Sequence, residues 1–402
     1  MELICLSLPW MLVILYLTFG FREPGSLPDA SPPSGARQGS HPLVSVVVPA
    51  RNEEENIGTC LESLAASRYP ALEILVVDDG SEDRTAEIVR GLASLHPSRI
   101  RLIQGRALPP GWFGKPWACW QGADEARGEL FLFTDADTVH DPDLLDRSVA
   151  ELERGDGDVL TVVGQQVMGS FWERLLQPQF FLLLASRYPR AGSPKSPQQW
   201  RHAIANGQYL LFRRRVYEAA GGHEAVAGEV VEDLRLAQLL VRGGWTLLVR
   251  EAQGLRTRMY RDLSGLVEGW SKNVATAALQ TTGGWLRPLI LPLSFVVGAV
   301  LWVLPPVTLA GAALTGSVEP GGTLFGWALL STVLGVFVWS RASTLMGGSP
   351  LYGLLFPLGS AVSIYIFFLS WVRGTRVHWK GRSYRMREES RVLPPSSPES
   401  GR

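Results

Sequence analysis

Three acidic clusters hold most of the chemistry available to this chain. Asp135-Ala136-Asp137 closes the apolar run Leu130-Phe131-Leu132-Phe133-Thr134. That run reads as a buried strand, and open α/β sheets bind ligands outside the carboxyl ends of their strands. Paired carboxylates there suit a hard divalent cation, because Mg²⁺ takes one or two carboxylates together with substrate phosphates. Asp78-Asp79-Gly80 ends a second apolar run. Asp-Gly is a strong turn signal, and an aspartate at that place can also hydrogen-bond a nucleobase or ribose. Glu232-Asp233 precedes Leu234, Leu236, Leu239 and Leu240 at helical spacing. The pair either complements the positive end of that helix, an effect of roughly 0.3–1 kcal/mol, or, if buried, supplies a general base.

Basic residues accompany these carboxylates. Lys115 lies in the glycine-rich stretch Gly111-Trp112-Phe113-Gly114-Lys115. It reads either as a point charge on a diphosphate or as a solvated surface residue. Arg258 and Arg261 are three apart and would share a face of a helix. They fit anionic headgroups at a membrane or a diphosphate leaving group.

The elements that must position these groups alternate. Strands are expected at Ser45–Pro49, Glu73–Val77, Ile100–Ile103 and Leu130–Thr134. A helix is expected after Asn52, with Glu55 completing a capping box and Ile57, Leu61, Leu64 and Ala65 on its apolar face. Another carries Ala86, Ile88, Val89 and Leu92, and Asp141-Pro142 starts a third. Such alternation predicts a mostly parallel sheet. The glycine fingerprint of a dinucleotide fold is absent, which argues against NAD.

Basic and acidic residues balance at 38 each among 402 residues, so no global field points to nucleic acid. Cys5, Cys60 and Cys119 have neither metal-type spacing nor the pattern of a disulfide framework, which fits a reducing compartment. Leu3 to Phe19 is almost uncharged and lacks the basic n-region of a signal peptide, so residues 1–21 are read as an uncleaved membrane anchor. Residues 22–42 read as a Pro/Ser/Gly-rich linker, and residues 43–280 as the catalytic domain. In residues 281–373, Leu286–Leu304, Leu324–Trp339 and Leu351–Val372 are candidate membrane segments, the first ended by Pro305-Pro306. Residues 374–402 form a basic tail, cytoplasmic by the positive-inside rule. A cytoplasmic catalytic domain then requires an even number of crossings before the tail. Phe171–Tyr188 reads as core or as a membrane-surface helix.

Together these motifs resemble glycosyltransferase family 2. Val46-Val47-Val48-Pro49-Ala50-Arg51-Asn52-Glu53-Glu54 resembles its opening strand, and Val76-Val77-Asp78-Asp79-Gly80-Ser81 its nucleotide-binding turn. Thr134-Asp135-Ala136-Asp137 resembles its metal motif, and Glu232-Asp233 its catalytic-base motif. Leu108 to Lys115, Ala205-Asn206-Gly207-Gln208, Gly221-Gly222-His223-Glu224 and Glu268 to Asn273 resemble the membrane-bound hopanoid-associated and carotenoid members. Trp379-Lys380-Gly381-Arg382 resembles their tail motif. The chain departs from processive members, which carry Gln-x-x-Arg-Trp. Here Arg258-Met259-Tyr260-Arg261-Asp262 has arginine first and aspartate in place of tryptophan, which argues against polymerisation.

The resemblance implies an α/β GT-A fold and a UDP- or GDP-sugar donor. It implies donor binding by Pro49, Arg51, Glu53, Asp78, Asp79, Lys115, Asp135, Arg258 and Arg261, and Mg²⁺ or Mn²⁺ on Asp135 and Asp137. It also implies a base at Asp233, next to Glu232, acting on a lipid acceptor with inversion at a multi-pass plasma-membrane enzyme. Three other readings fit the residues less well. A processive polysaccharide synthase is disfavoured by that departure. A sugar-nucleotidyltransferase would carry a glycine-rich phosphate loop where Pro49-Ala50-Arg51-Asn52 stands. A non-catalytic scaffold would have no need of the full carboxylate set.

Overall fold

The computed structural model describes residues 2–16, 18, 25–28, 41–154, 157–187, 194, 196–281, 290–316, 319, 321–373, 376–380 and 382–385. Most of the expected linker and the end of the basic tail lie outside the described residues. The chain divides into two compact units, one holding residues 23–165, 191–258 and 380–402, the other residues 1–22, 166–190 and 259–379.

The first unit is built on a nine-stranded mixed sheet. Its strands are β1 (Gly25–Ser26), β2 (Val44–Ala50), β3 (Leu72–Asp78), β4 (Ile100–Gln104), β5 (Leu130–Phe133), β6 (Thr138–His140), β7 (Val159–Gln166), β8 (Leu210–Arg213) and β9 (Leu247–Thr257). The order is β1-β9-β7-β8-β5-β2-β3-β4, with β6 paired to β9. The central pairs β2–β3, β3–β4 and β2–β5 are parallel, as the alternation predicts, while β8 runs antiparallel to both β5 and β7.

Residues of the central strands split between two cores by a period of two. Val44, Val46 and Val48 pack in one with Ile74, Val76 and Leu132. Val47 packs in the other with Leu75, Val77, Phe131 and Phe133. Both faces are therefore covered, which is why these strands read as unbroken apolar runs. Burying each such aliphatic side chain contributes roughly 1.5–3 kcal/mol. Helices Ile57–Ala65 and Thr85–Leu95 cover the first face, through Ile57, Leu61, Leu64 and Val89. Helices Gly114–Asp124 and Glu232–Arg242 cover the second, through Ala118, Cys119, Leu236 and Leu240.

Two local expectations are corrected. The first helix begins at Ile57, and Asn52 does not cap it. Asn52 instead adopts a left-handed conformation (φ 53°), and its side chain accepts a hydrogen bond from the Glu82 amide at 2.8 Å. Similarly, a turn separates Asp141-Pro142 from the helix, which starts at Leu144.

The second unit is helical. Among its described residues, three helices are long and apolar enough to cross a membrane: Pro292–Thr315, Thr323–Leu345 and Pro350–Arg373. Pro305-Pro306 was expected to end the first of these but does not. The prolines fall in the first turn of Leu304–Thr315, where a missing N–H costs little, and a π-helical turn at Ala299–Val303 leads into them. The N-terminal helix, Glu2–Leu15, covers 14 residues. Phe171–Arg187 is a helix that contributes to this unit's core, with Leu176 and Phe180 buried and Phe180 stacked on Trp270 at 4.4 Å. Polar atoms between these helices are paired: Ser363 donates to Gln179, and Ser370 to the Ser271 carbonyl.

Candidate active site

Parallel pairing sends the ends of β2, β3 and β5 to one edge of the sheet. Ala50 is in register with Asp78, and Val47 with Phe133. Arg51 and Asp79, the residues that follow β2 and β3, emerge side by side, and Asp135 lies two residues past the end of β5.

The β2 and β3 loops are stitched together through their backbones. Ser81 Oγ accepts from Asn52 N at 3.0 Å, Thr85 Oγ1 from Glu53 N at 2.7 Å and Asp83 Oδ2 from Glu54 N at 3.0 Å. Arg51 donates to the carbonyls of Asp79 and Gly80 at 2.6 and 2.7 Å. Gly80 sits at φ +68°, a conformation that favours glycine, with the Arg51 guanidinium closing over it. Asp78 and Asp79 are both buried. Asp78 accepts from the Ser81 amide at 3.0 Å and from Gln104 at 3.3 Å, while Asp79 is held by Arg382.

Behind Asp135 lies a buried hydroxyl–imidazole network. Thr138 Oγ1 donates to the Asp135 carbonyl at 2.7 Å, Thr134 Oγ1 to the Gln208 carbonyl at 2.7 Å, and His140 Nε2 lies 2.9 Å from Thr138 Oγ1. Burial holds His140 neutral, with its pKa down to about 3. The network fixes the turn that presents both carboxylates of Asp135-Ala136-Asp137.

Lys115 joins this turn to the third acidic cluster. Its ammonium is 2.7 Å from Asp135 and 2.8 Å from Glu232. Burial opposes its charge, but Asp135, Glu232 and Asp233 outweigh that and raise its pKa well above the ordinary lysine value. Burial likewise pushes Glu232 upward, and Lys115 overcomes it to leave Glu232 below its usual range. For Asp233, burial and neighbouring Glu232 outweigh the pull of Lys115 and push it up to about 6. It accepts hydrogen bonds from the amides of Gly207 at 2.8 Å and Leu234 at 2.7 Å. A Cβ at Gly207 would come within 2.9 Å of Asp233 Oδ2 and 3.1 Å of Lys115 Nζ, so the close approach needs glycine.

Pro49, Lys115, Asp135, Gly207, Glu232 and Asp233 line one pocket. The motifs nearly a hundred residues apart in sequence are thus brought together. Asp78, Asp79 and Asp137 belong to the same sheet edge but do not line that pocket. Arg258 and Arg261 do not share a helix face as expected, because both fall in the non-helical stretch between β9 and the helix Leu263–Thr281. They also belong to different units.

Among the described residues no group of three or more His, Cys, Asp or Glu side chains forms a metal cluster. The Asp135–Asp137 turn nevertheless fits a divalent cation that completes its shell with phosphate oxygens. Asp137 Oδ1 is buried with no hydrogen-bond partner. Burial, Asp135 and Glu53 together push Asp137 up to about 8, which marks a place short of positive charge.

Comparison with known proteins agrees with this geometry. The model of the family described as "Glycosyl transferase family 2" matches residues 45–221. These residues are a glycosyltransferase family 2 domain. The 4,4'-diaponeurosporenoate glycosyltransferase of Staphylococcus aureus (strain USA300) is 26% identical to this chain over 364 residues, 87% of this chain and 90% of that protein. The counterpart from strain MRSA252 is also 26% identical, over 360 residues. Among solved structures, a mannosyltransferase from Pyrobaculum calidifontis in complex with GDP-Man and Mn²⁺ is similar at a TM-score of 0.57 and 20% identity, covering 92% of this chain and 97% of that one. That likeness shows the fold, GT-A with additional apolar helices. The chain is a transferase of glycosyl groups with C-terminal helices capable of crossing a membrane.

Sequence reasoning found the carboxylates but missed three supports. The Thr134–Thr138–His140 network carried no recognisable signal. Gly207 stood in a quoted motif without a role. Lys380 and Arg382 were legible only as a tail motif.

Proposed function

We propose that the enzyme moves a sugar from a nucleoside-diphosphate donor to a hydroxyl or carboxyl of a lipid acceptor, with inversion at the anomeric carbon. The observation that carries this reading is the pocket in which Lys115 links Asp135 to Glu232 beside Asp233. Asp233 is the base. Its pKa of about 6 leaves it ionised yet basic near neutral pH, which is where general-base efficiency is greatest. The amides of Gly207 and Leu234 fix its carboxylate, so that it receives the acceptor proton without swinging away.

Asp135 and Asp137 would hold Mg²⁺ or Mn²⁺, which when bound neutralises charge on the departing diphosphate. Asp78 and Asp79 sit where a nucleobase or ribose would lie. Because Asp79 is committed to Arg382, Asp78 is the better acceptor for donor hydroxyl or imide groups. Pro49, Arg51 and Glu53 shape the same edge, and Arg258 and Arg261 are proposed to assist the diphosphate.

A lipid acceptor is supported by the apolar helices and by the similarity to an enzyme named for a carotenoid acid. Lys380 and Arg382 pair with residues of the catalytic unit, so the tail and the catalytic domain share one side of the membrane. An even number of crossings must then separate them, and the Pro292–Thr315 helix is assigned as interfacial or re-entrant. With a cytoplasmic donor, that side is the cytoplasm of a plasma-membrane enzyme. Membranes containing the protein, incubated with radiolabelled nucleotide sugars and extracted with organic solvent, should yield labelled lipid. Label confined to the aqueous phase, as polymer or free sugar, would overturn the acceptor assignment.

A further inference from the structure

The tail residues Lys380 and Arg382 make specific contacts that the reading above does not use. Arg382 places its guanidinium on the Asp79 carboxylate and also donates to the Asp79 carbonyl at 3.2 Å. Lys380 Nζ lies 2.8 Å from Glu53 and donates to the Asn52 carbonyl at 2.8 Å. The Lys380 carbonyl in turn accepts from Arg51 Nε at 3.0 Å. Lys380 adopts a left-handed backbone (φ 47°), which a side chain with a Cβ disfavours. Three contacts on one residue hold it there.

We infer that Lys380 and Arg382 are positioning residues of the donor site, clamping the two loops that present Asp79 and Glu53 and cancelling their charge. Two observations support this role over simple structural glue. First, the loops are already joined by the Asn52–Ser81, Glu53–Thr85 and Glu54–Asp83 hydrogen bonds, none of which involves the tail. What the tail adds is confined to the acidic side chains and the loop carbonyls. Second, Glu53 acts electrostatically on Asp137, and Asp79 stands beside a second aspartate, Asp78, that raises its pKa. Uncompensated, both carboxylates would repel an anionic diphosphate and distort the turn that meets the nucleoside. The chain that leaves the last apolar helix thereby completes the donor site.

This inference rests on the nucleotide-sugar reading, and its test separates the two. The full-length protein and the variants Lys380→Gln/Arg382→Gln and Arg382→Lys would be assayed with the nucleotide sugar that the wild type turns over. Titration with the matching nucleoside diphosphate and a thermal melt would accompany the assay. The double variant should raise the donor KM and the nucleoside diphosphate Kd about tenfold, the scale of one charge-assisted hydrogen bond. Its kcat should fall much less, and Arg382→Lys, which restores a cation to Asp79, should recover most of the affinity. Unchanged donor KM overturns the inference. So does tighter binding in the double variant, which would make the tail a plug rather than a support. A wild type that binds no nucleoside diphosphate refutes the parent reading instead.

Discussion

Replacing Asp233 with asparagine keeps shape and removes the proposed base. The rise of Asp233 from 3.8 to about 6 opposes its ionisation in the folded protein. At 1.36 kcal/mol per pH unit this amounts to about 3 kcal/mol at neutral pH. The sign follows: a carboxylate whose pKa is raised on folding favours the fold below its unfolded value and loses that contribution as pH rises through about 6. Asparagine removes the burden. It can still accept one of the two amide hydrogen bonds from Gly207 and Leu234, and loses the other at a cost of about 1 kcal/mol. Asp233→Asn should therefore melt at or above the wild-type temperature at pH 7.5. Turnover should move the other way. Losing a general base lowers rates by about 10²–10⁴, equivalent to about 2.7–5.4 kcal/mol of barrier, while nucleoside diphosphate affinity stays within about threefold, under 1 kcal/mol. The assay is transfer to extracted lipid, followed from pH 5 to 8. Wild-type kcat should climb with pH and level off above about 6, and this limb should vanish from the residual activity of the variant. A variant with kcat within threefold of wild type, or a wild-type limb that falls across this range, refutes the base assignment.

Other consequences follow from the same pocket and tail. Asp137→Ala should abolish the dependence of nucleoside diphosphate affinity on Mn²⁺ or Mg²⁺ in calorimetry; equal metal dependence in wild type and variant would remove the metal role. Lys115→Met leaves Asp135, Glu232 and Asp233 without their shared cation. It should destabilise the protein by about 3–5 kcal/mol, visible as a large drop in melting temperature, and a melt within 2 °C of wild type would contradict the bridging geometry. For topology, cysteines placed at residues 319 and 348 report the two connections between the apolar helices. With Pro292–Thr315 not crossing, an impermeant thiol reagent outside the cell should label 348 and spare 319. Labelling of 319 alone would refute that assignment.

The carboxylates were legible because each closes an apolar run or opens an apolar helix, and the parallel sheet turns those sequence positions into spatial neighbours. Val47 facing one core and Val46 the other is the pattern of a strand covered on both faces, and its pairing with the Leu130–Phe133 strand brings Asp135 to the pocket beside Pro49. Asn52 was misread because Asn followed three residues later by Glu has the same local grammar in a capping box as in a loop. The deciding contact, to the Glu82 amide, lies 30 residues away, on the next loop. Lys115 was read in a glycine-rich loop, but it stands in the first turn of the helix Gly114–Asp124. Its partners were not visible, since a pairing with Asp135 and Glu232 depends on both helices packing on one face of the sheet.

Asp79 shows the limit most clearly. Its neighbour, its turn and its motif all argue that it meets the nucleoside. Its carboxylate is instead buried against Arg382, some three hundred positions along the chain. Burial outweighs the pull of that arginine and pushes its pKa upward. A motif fixes residue type and backbone place, while the direction a carboxylate faces depends on which cation the rest of the chain brings to it. Adjacent aspartates in one turn then divide the work. Asp78, which among the described residues accepts from a backbone amide and a glutamine, keeps acceptor capacity for a ligand. Asp79 anchors Arg382, in the segment that follows the last apolar helix.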